Sequence, residues 1–256
     1  MPYVSVAEER VFYAYHDGAH RKAPTLILIH GAGGNHQFWG HAVRSVSSAT
    51  TYAPDLPGHG RSGGTGRWSI VDYAAFATAF MDALELRQAV VAGHSMGGAT
   101  AMQMSLDYAT RVSGLVLVGT GARLRVLPAI LEGTLSNFQS TIELVCEYAY
   151  SPRTSRQLVR HGQRQMLKVA PQTVHDDFAA CDGFDVMDRL ADIRCPTLVV
   201  CGTDDRLTPP KYSALLAERI HNAQLRFIEG AGHMVMIEKP EVLGEAIEST
   251  LAGWKL

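Results

Sequence analysis

The chain has 256 residues, 46% of them hydrophobic and 19% charged, which is enough for one large core and excludes a disordered or fibrous protein. The net charge of −2 gives no reason to expect nucleic acid or an anionic membrane as a partner. The first ten residues lack a basic stretch followed by an apolar run, and no segment approaches the length of a membrane span. We therefore expect a cytoplasmic protein.

The cysteines and histidines are not spaced as metal ligands. The four cysteines form no C-x-x-C pair, and they are too few for a disulfide scaffold. His16 and His20 stand four residues apart with Asp17 between them, but Asp17-Gly18 predicts a turn there and not the helix that such a pair of ligands needs. None of the eleven histidines pairs with cysteine at ligand spacing. We expect reduced thiols, no metal site and no cofactor.

The first apolar segments predict strands. Residues 3–6 and 10–15 predict a hairpin, and residues 25–29 predict a buried strand that ends in the glycine-rich stretch His30-Gly31-Ala32-Gly33-Gly34. Backbone N–H groups in such a loop, at the carboxyl end of a central strand, are free to point at a ligand. A helix over about residues 37–47 then leads to a strand at residues 51–53.

Residues 58–63, Gly-His-Gly-Arg-Ser-Gly, match the dinucleotide-binding pattern G-x-G-x-x-G, but their context does not fit it. That pattern needs a helix to open at its third glycine and an acidic residue at the end of the next strand. Here the next helix begins only near Ser69, where Ser69 and Asp72 form a capping box, and the acid at the right distance, Asp82, lies inside that helix. We interpret the segment as a turn.

A tight strand-to-helix turn is predicted at Ser95. Residues 88–92 form a short β-branched run, residues 96–108 show helical periodicity, and the turn between them has the sequence Gly93-His94-Ser95-Met96-Gly97. The two backbones approach closely there, so Gly93 and Gly97 stand where almost no side chain fits. We expect Ser95 in a strained conformation with its hydroxyl clear of the sheet, followed by the N–H of Met96 at a helix N-terminus.

After a buried strand at residues 113–119 the strand-helix alternation stops. Residues 121–186 lack strand-like runs and read as several helices, which predicts a helical cap over the carboxyl edge of the sheet. Basic residues recur there every three or four positions and predict one basic helical face, which we interpret as solvated rather than as a carboxylate site. The residues of this face are Arg153, Arg156, Arg160, Arg164 and Lys168.

The alternation resumes at residues 197–201, a strand followed by Asp204 and Asp205 and by a helix that begins at Pro209 or Pro210. A last strand at residues 224–228 precedes His233, and a closing helix begins near Pro240. Strands and helices that alternate in this way predict an α/β fold with a mostly parallel central sheet and helices on both faces.

A serine, a histidine and two adjacent aspartates follow strands at the same predicted edge of the sheet. A serine hydroxyl needs a base, and the base needs an anion that fixes its tautomer. His233 follows the last strand, and Asp204 and Asp205 follow the one before, so both groups are expected near Ser95. Adjacent aspartates cannot both face the histidine, and spacing alone leaves the choice open.

These motifs resemble those of the α/β-hydrolase superfamily, in its serine esterase and lipase branch, and the chain order Ser95, Asp205, His233 is similar to that of the family. The family pattern Gly-x-x-Asp-x-x-x-Pro, met by Gly202 and Pro209, selects Asp205. His-Gly-x-Gly followed by Trp39 resembles the oxyanion loop, which implies the N–H groups of Ala32 and Met96 as oxyanion donors. The resemblance further places Gly33, His36 and Phe38 at the substrate pocket, and it gives His30 a structural role.

The resemblance implies a cofactor-free serine hydrolase that cleaves a small carboxylic ester or lactone through an acyl-enzyme. Residues 1–120 and 187–256 are expected to form the core domain, and residues 121–186 the cap that shapes the acyl or alcohol pocket. Carbon–carbon bond hydrolases, perhydrolases and hydroxynitrile lyases share the scaffold, as do ligand sensors of slow turnover, and these remain alternatives. Neither the substrate nor the oligomeric state follows from the sequence.

Overall fold

A mostly parallel sheet forms the centre of the computed structural model, which describes residues 2–20 and 23–255. In this part of the chain eight strands pair in the order β1-β2-β4-β3-β5-β6-β7-β8. β1 and β2 run antiparallel to their neighbours, and the other pairings are parallel. The strands are Tyr3–Val6 (β1), Glu9–His16 (β2), Thr25–Ile29 (β3), Thr50–Pro54 (β4), Ala89–His94 (β5), Val112–Val118 (β6), Thr197–Gly202 (β7) and Ala223–Ile228 (β8).

Helices cover both faces of this sheet. They are His41–Arg44 (α1), Ile70–Ala83 (α2), Met96–Asp107 (α3), Pro128–Ser136 (α4), Phe138–Ala149 (α5), Arg156–Met166 (α6), Pro171–Asp182 (α7), Pro210–Arg219 (α8), Val235–Glu238 (α9) and Pro240–Gly253 (α10). Side chains of one strand alternate between the faces, so Ile27 of β3 belongs to the buried cluster that contains side chains of α2, α3 and α8, whereas Leu28 belongs to the cluster that contains side chains of α1 and α10. The predicted α/β class is confirmed. Within the described ranges, no helix has the length and apolar character needed to cross a membrane.

The helix predicted over residues 37–47 is shorter and interrupted. A 3-10 turn occupies His36–Phe38, and α1 begins only at His41. Gly40 lies between them, where its N–H donates to the carbonyl of Met236 at 3.3 Å and a Cβ would lie 2.6 Å from that oxygen. The chain therefore bends where it contacts the segment that carries α9, a short helix that the sequence pattern did not predict.

Residues 119–196 contain α4 to α7 and, as far as the structure describes them, no strand of the central sheet. The predicted basic face is only partly helical: Arg153 precedes α6, whose N-cap is Ser155, and Lys168 follows it. All five basic side chains of that face are exposed, and Arg156 pairs with Glu147 at 2.7 Å. This arrangement is that of a solvated surface. The division into core and cap domains stays a prediction.

Candidate active site

The turn at Ser95 has the close backbone approach that the sequence predicted. A Cβ at Gly93 would overlap the carbonyl oxygen of Gly97, and a Cβ at Gly97 would overlap that of Ile29. Ser95 adopts φ +53° and ψ −115°, a backbone region that costs a non-glycine residue on the order of 1–3 kcal/mol. Its N–H donates to the carbonyl of Val118 at 3.0 Å, which attaches the turn to β6.

Asp205 and His233 lie side by side, beyond the ends of β7 and β8. Nδ1 of His233 lies 3.0 Å from Oδ2 of Asp205, and both side chains are buried. Oδ1 of Asp205 accepts the N–H groups of Leu207 and Thr208, at 2.9 and 2.8 Å, and Oδ2 also accepts the Thr208 hydroxyl at 2.9 Å. The carboxylate therefore has four donors, and a proton on Nδ1 of His233 has its acceptor.

These donors determine the charge of Asp205. Burial alone would raise the pKa of this carboxyl, but the His233 ring and the hydrogen bonds from Thr208 outweigh it and hold the pKa below its usual value. Asp205 is therefore ionised at neutral pH. The adjacent Asp204 has other contacts, because it accepts the Ser151 hydroxyl at 2.6 Å.

His233 is held from its backbone as well as from its ring. Its N–H donates to Ala149 at 2.8 Å, and its carbonyl accepts Nε2–H of His94 at 3.1 Å. Burial and the neighbouring His233 keep the pKa of His94 well below its usual value, so His94 is neutral and donates through one nitrogen. Among the described residues, Nε2 of His233 has no hydrogen-bond partner.

Gly119 connects the Ser95 turn with the histidine. It has φ +53°, and a Cβ there would lie 3.3 Å from Nδ1 of His233 and 3.4 Å from Oδ2 of Asp205. Since Gly119 follows Val118, whose carbonyl binds the Ser95 N–H, the serine and the Asp205–His233 pair border the same strand end. A side chain at Gly119 would contact the pair directly.

The glycine-rich loop after β3 lies against Ser95. A Cβ at Gly31 would lie 3.2 Å from Cβ of Ser95. Within residues 2–20 and 23–255, the N–H groups of Ala32 and Met96 have no hydrogen-bond acceptor. That of Met96 is free because it is the first residue of α3. The loop and the helix start thus offer two unused donors beside one hydroxyl.

The three other residues predicted for the pocket have differing surroundings. Gly33 lies against α6, where a Cβ would lie 2.9 Å from Cε of Met166. His36 binds Asp55 at 2.8 Å and packs on Phe12, with ring centroids 4.8 Å apart, while Phe38 is buried in the core. His36 and Phe38 therefore make structural contacts, and their role in a pocket stays a prediction.

Residues 55–63 form a closed turn around a carboxylate. Asp55 accepts the N–H groups of His36 at 2.7 Å and Arg61 at 2.9 Å, and its carbonyl accepts the Ser62 hydroxyl at 2.7 Å. Gly60 has φ +53°, and a Cβ there would overlap the Asp55 carboxylate. The N–H groups of Gly58, His59, Arg61 and Ser62 are thus used within the turn and are not free to bind a phosphate.

His30 has the structural surroundings that the resemblance implied. Its Nδ1 lies 2.8 Å from the carbonyl of Gly31, and its Nε2 accepts the N–H of Leu56 at 3.0 Å. The ring is completely buried, and burial together with the nearby His59 lowers its pKa to about 4. His30 is therefore neutral and joins the glycine-rich loop to the segment after β4.

Two contributors to the site went unnoticed in the sequence. Thr208 bridges Asp205 and His233, and its only sequence signal is its position before Pro209. Glu238 accepts the N–H groups of Gly232 and Ser151, both at 2.9 Å, and so ties the His233 loop to the end of α5. No local pattern marks Glu238, because its partners lie on separate segments.

The described side chains outside this site form no metal-binding cluster and no disulfide. In the portion that the structure describes, no three His, Cys, Asp or Glu side chains are close enough together to hold a metal ion. The four cysteines are free thiols, and burial raises the pKa of Cys201 to about 12. Cys201 is therefore a neutral core residue below Asp205.

Comparison with known proteins shows the family to which the chain belongs. The sequence model of the alpha/beta hydrolase family matches residues 26–246. A protein of Azorhizobium caulinodans whose name proposes the carbamate hydrolase RutD is 29% identical, over 96% of this chain and 97% of its own. A solved thermophilic esterase is 34% identical with a TM-score of 0.86, covering 98% of this chain and 96% of its own.

A third protein extends the comparison to lactones. Est816, described as an N-acyl homoserine lactone degrading enzyme, is 27% identical with a TM-score of 0.85, covering 97% of this chain and 99% of its own. The chain therefore belongs to the alpha/beta hydrolase family, as an enzyme of the hydrolase type that its esterase and lactone-degrading relatives represent.

Proposed function

We propose that this protein is a serine hydrolase that cleaves a small carboxylic ester or lactone, with Ser95 as nucleophile, His233 as general base and acid, and Asp205 as the anion that orients His233. The observation that carries the proposal is the 3.0 Å contact between Asp205 and Nδ1 of His233, beside a serine in a strained strand-to-helix turn. Because Nδ1 is occupied, Nε2 is the nitrogen that can take a proton from Ser95.

The reaction then has two halves. Nε2 of His233 accepts the proton of Ser95 as Oγ attacks the carbonyl carbon, and the N–H groups of Ala32 and Met96 donate to the oxygen that becomes negative. The imidazolium, stabilised by Asp205, protonates the leaving alkoxide and an acyl-enzyme remains. His233 next activates water, which releases the acid and restores the Ser95 hydroxyl.

Residues 121–186 act in this proposal as a cap that shapes the acyl or alcohol pocket. Met166 of α6 and Val174 of α7 lie over Gly33, next to the proposed oxyanion donors, and both are buried apolar residues. An apolar cover excludes water and favours an uncharged acyl group. The esterase and lactone-degrading relatives support esters and lactones as the substrates to test first.

The test compares Ser95→Ala with Ser249→Ala on p-nitrophenyl acetate and on a panel of lactones. Ser249 lies on α10, where its hydroxyl only donates to Ala246, so its variant should keep wild-type turnover. Ser95→Ala should lose at least about a thousandfold in kcat with an unchanged circular-dichroism spectrum. It should also lose covalent labelling by a fluorophosphonate, which the wild type shows.

Each other outcome contradicts a stated part of the proposal. Retained turnover in Ser95→Ala would show that Ser95 is not the nucleophile. A wild-type burst of one p-nitrophenol per chain without steady release would favour a slow-turnover ligand sensor. Turnover of vinylogous diketones or cyanohydrins in preference to every ester and lactone would favour a carbon–carbon hydrolase or a lyase.

A further inference from the structure

Asp177, on α7, is a completely buried carboxylate that binds three segments of the sheet domain at once. Its Oδ2 accepts the N–H of Gly33 at 2.7 Å and lies 2.8 Å from Nε2 of His59, and its Oδ1 accepts the Tyr73 hydroxyl. These donors come from the loop after β3, the turn after β4 and the helix α2. The sequence pattern singled out none of these contacts.

His59, the partner of Asp177, is itself charged. Its Nδ1 lies 2.9 Å from the carbonyl oxygen of Pro57 and its Nε2 lies against the Asp177 carboxylate, so both nitrogens face acceptors and both need a proton. Burial lowers the pKa of His59, but the Asp177 carboxylate outweighs burial and the net pKa is raised. The other titratable groups around this pair are His30, Asp55, Tyr73 and Cys181. The ring centroid of His30 lies 4.9 Å from that of His59.

The bond from Gly33 connects this ion pair to the proposed oxyanion donors. Gly33 has φ +63° and directly follows Ala32, so fixing its N–H on Asp177 fixes the backbone on one side of Ala32. On the other side of Ala32, the carbonyl of Gly31 accepts Nδ1–H of His30. The loop is therefore held at both flanks.

We infer that Asp177, paired with His59, is a positioning residue that holds the Ala32 donor in place for the developing oxyanion, so that the cap segment sets the geometry of the reaction as well as its substrate pocket. This inference rests on the proposed function of Ala32. The inference also assigns a role to the turn at residues 55–63, because His59 of that turn supplies the imidazolium that neutralises the Asp177 carboxylate. Burial of an unpaired carboxylate at this depth would be strongly unfavourable.

The experiment uses two substitutions at Asp177 and one next to it. Asp177→Ala removes all three acceptor contacts, whereas Asp177→Asn keeps one oxygen for the Gly33 and His59 donors and turns its NH2 toward the Tyr73 oxygen. Asp176→Asn is the matched control, since Asp176 is also buried on α7 but binds only Gln172, at 2.8 Å, on its own helix. Ester kinetics are measured together with the inhibition constant of a trifluoromethyl ketone, which forms a tetrahedral adduct with the nucleophile.

We expect Asp177→Ala to lose about tenfold to a hundredfold in kcat with KM nearly unchanged, because a displaced donor weakens the transition state more than the bound ester. The inhibition constant of the ketone should rise by the same factor as kcat/KM falls. Asp177→Asn should lose about threefold to tenfold, and Asp176→Asn should remain within about twofold of wild type. If Asp177→Ala does not fold, the kcat and the ketone inhibition constant of Asp177→Asn alone test the inference.

Wild-type kcat in Asp177→Asn would overturn the inference, as would a loss that appears only in KM or a kcat loss with unchanged ketone affinity. These outcomes differ from a failure of the proposed function. If Ser95→Ala is inactive while the Asp177 variants behave as wild type, only the inference on Asp177 is wrong. If Ser95→Ala retains turnover, the proposed function itself is wrong.

Discussion

Replacing Asp205 by asparagine is the substitution whose effect the hydrogen bonds define best. The two backbone donors at Oδ1, from Leu207 and Thr208, require an oxygen there, so the asparagine NH2 must occupy the position of Oδ2. An NH2 at that position faces Nδ1 of His233 at about the present 3.0 Å and can only donate to it. His233 is then forced into the tautomer that carries its proton on Nε2.

In the proposed mechanism, a proton on Nε2 prevents His233 from accepting the proton of Ser95. We expect kcat to fall about 10³- to 10⁴-fold, which corresponds to about 4 to 5 kcal/mol of transition-state stabilisation, with KM changed by no more than about threefold. Steady-state hydrolysis of p-nitrophenyl acetate measures both constants. A melting curve and a circular-dichroism spectrum establish that the variant is folded.

Asp204→Asn is the matched control, because Asp204 is adjacent in sequence but binds Ser151 and not His233. It should keep kcat within about threefold of wild type. A kcat for Asp205→Asn within about tenfold of wild type would refute the reasoning from the tautomer. An equal loss in both variants would instead show that the effect comes from distortion of the loop after β7.

Two further predictions concern stability. Gly97→Ala should lower the free energy of unfolding by roughly 3 kcal/mol or more, because its Cβ overlaps the Ile29 carbonyl, whereas Gly253→Ala, with no atom within 4 Å, should change it by less than about 1 kcal/mol. Urea denaturation compares the two, and equal stabilities would contradict the close-approach argument. The second prediction is a pH dependence. Because the folded pKa of Asp205 lies below its ordinary value of 3.8, its ionised form stabilises the protein above that pH, and this stabilisation is lost as the pH falls through the folded pKa. Melting temperatures of wild type should therefore drop more steeply on acidification than those of Asp205→Asn, and parallel curves would contradict this linkage.

Local patterns sufficed to predict the sheet. Buried strands such as β3 and β5 are continuous apolar runs, and the glycines around Ser95 mark a point where two backbone segments come too close for a side chain. The N-cap of α2 was equally local, since the Ser69 hydroxyl accepts the N–H of Asp72 at 3.1 Å and donates to the Asp72 carboxylate at 2.7 Å. In each case the sequence signal lies within a few positions of the residues whose conformation it predicts.

Tertiary contacts account for what the sequence did not reveal. The helix expected over residues 37–47 is interrupted because Gly40 contacts Met236, about two hundred positions away. Asp177 meets Gly33 across 144 positions, so nothing near either residue indicates the contact. For the site, the pattern placed Ser95, Asp205 and His233 at one edge, and the structure brings the last two together; their roles stay a proposal.

The positive φ of Ser95 has a consequence for engineering this enzyme. Glycine would adopt the same backbone conformation without the steric penalty of a Cβ, so replacing the serine should yield a more heat-resistant protein, which the proposed mechanism expects to be inactive. If Ser95 is the nucleophile, directed evolution that rewards survival at high temperature alone would therefore favour loss of its hydroxyl. A selection scheme for this scaffold has to demand product formation in every round.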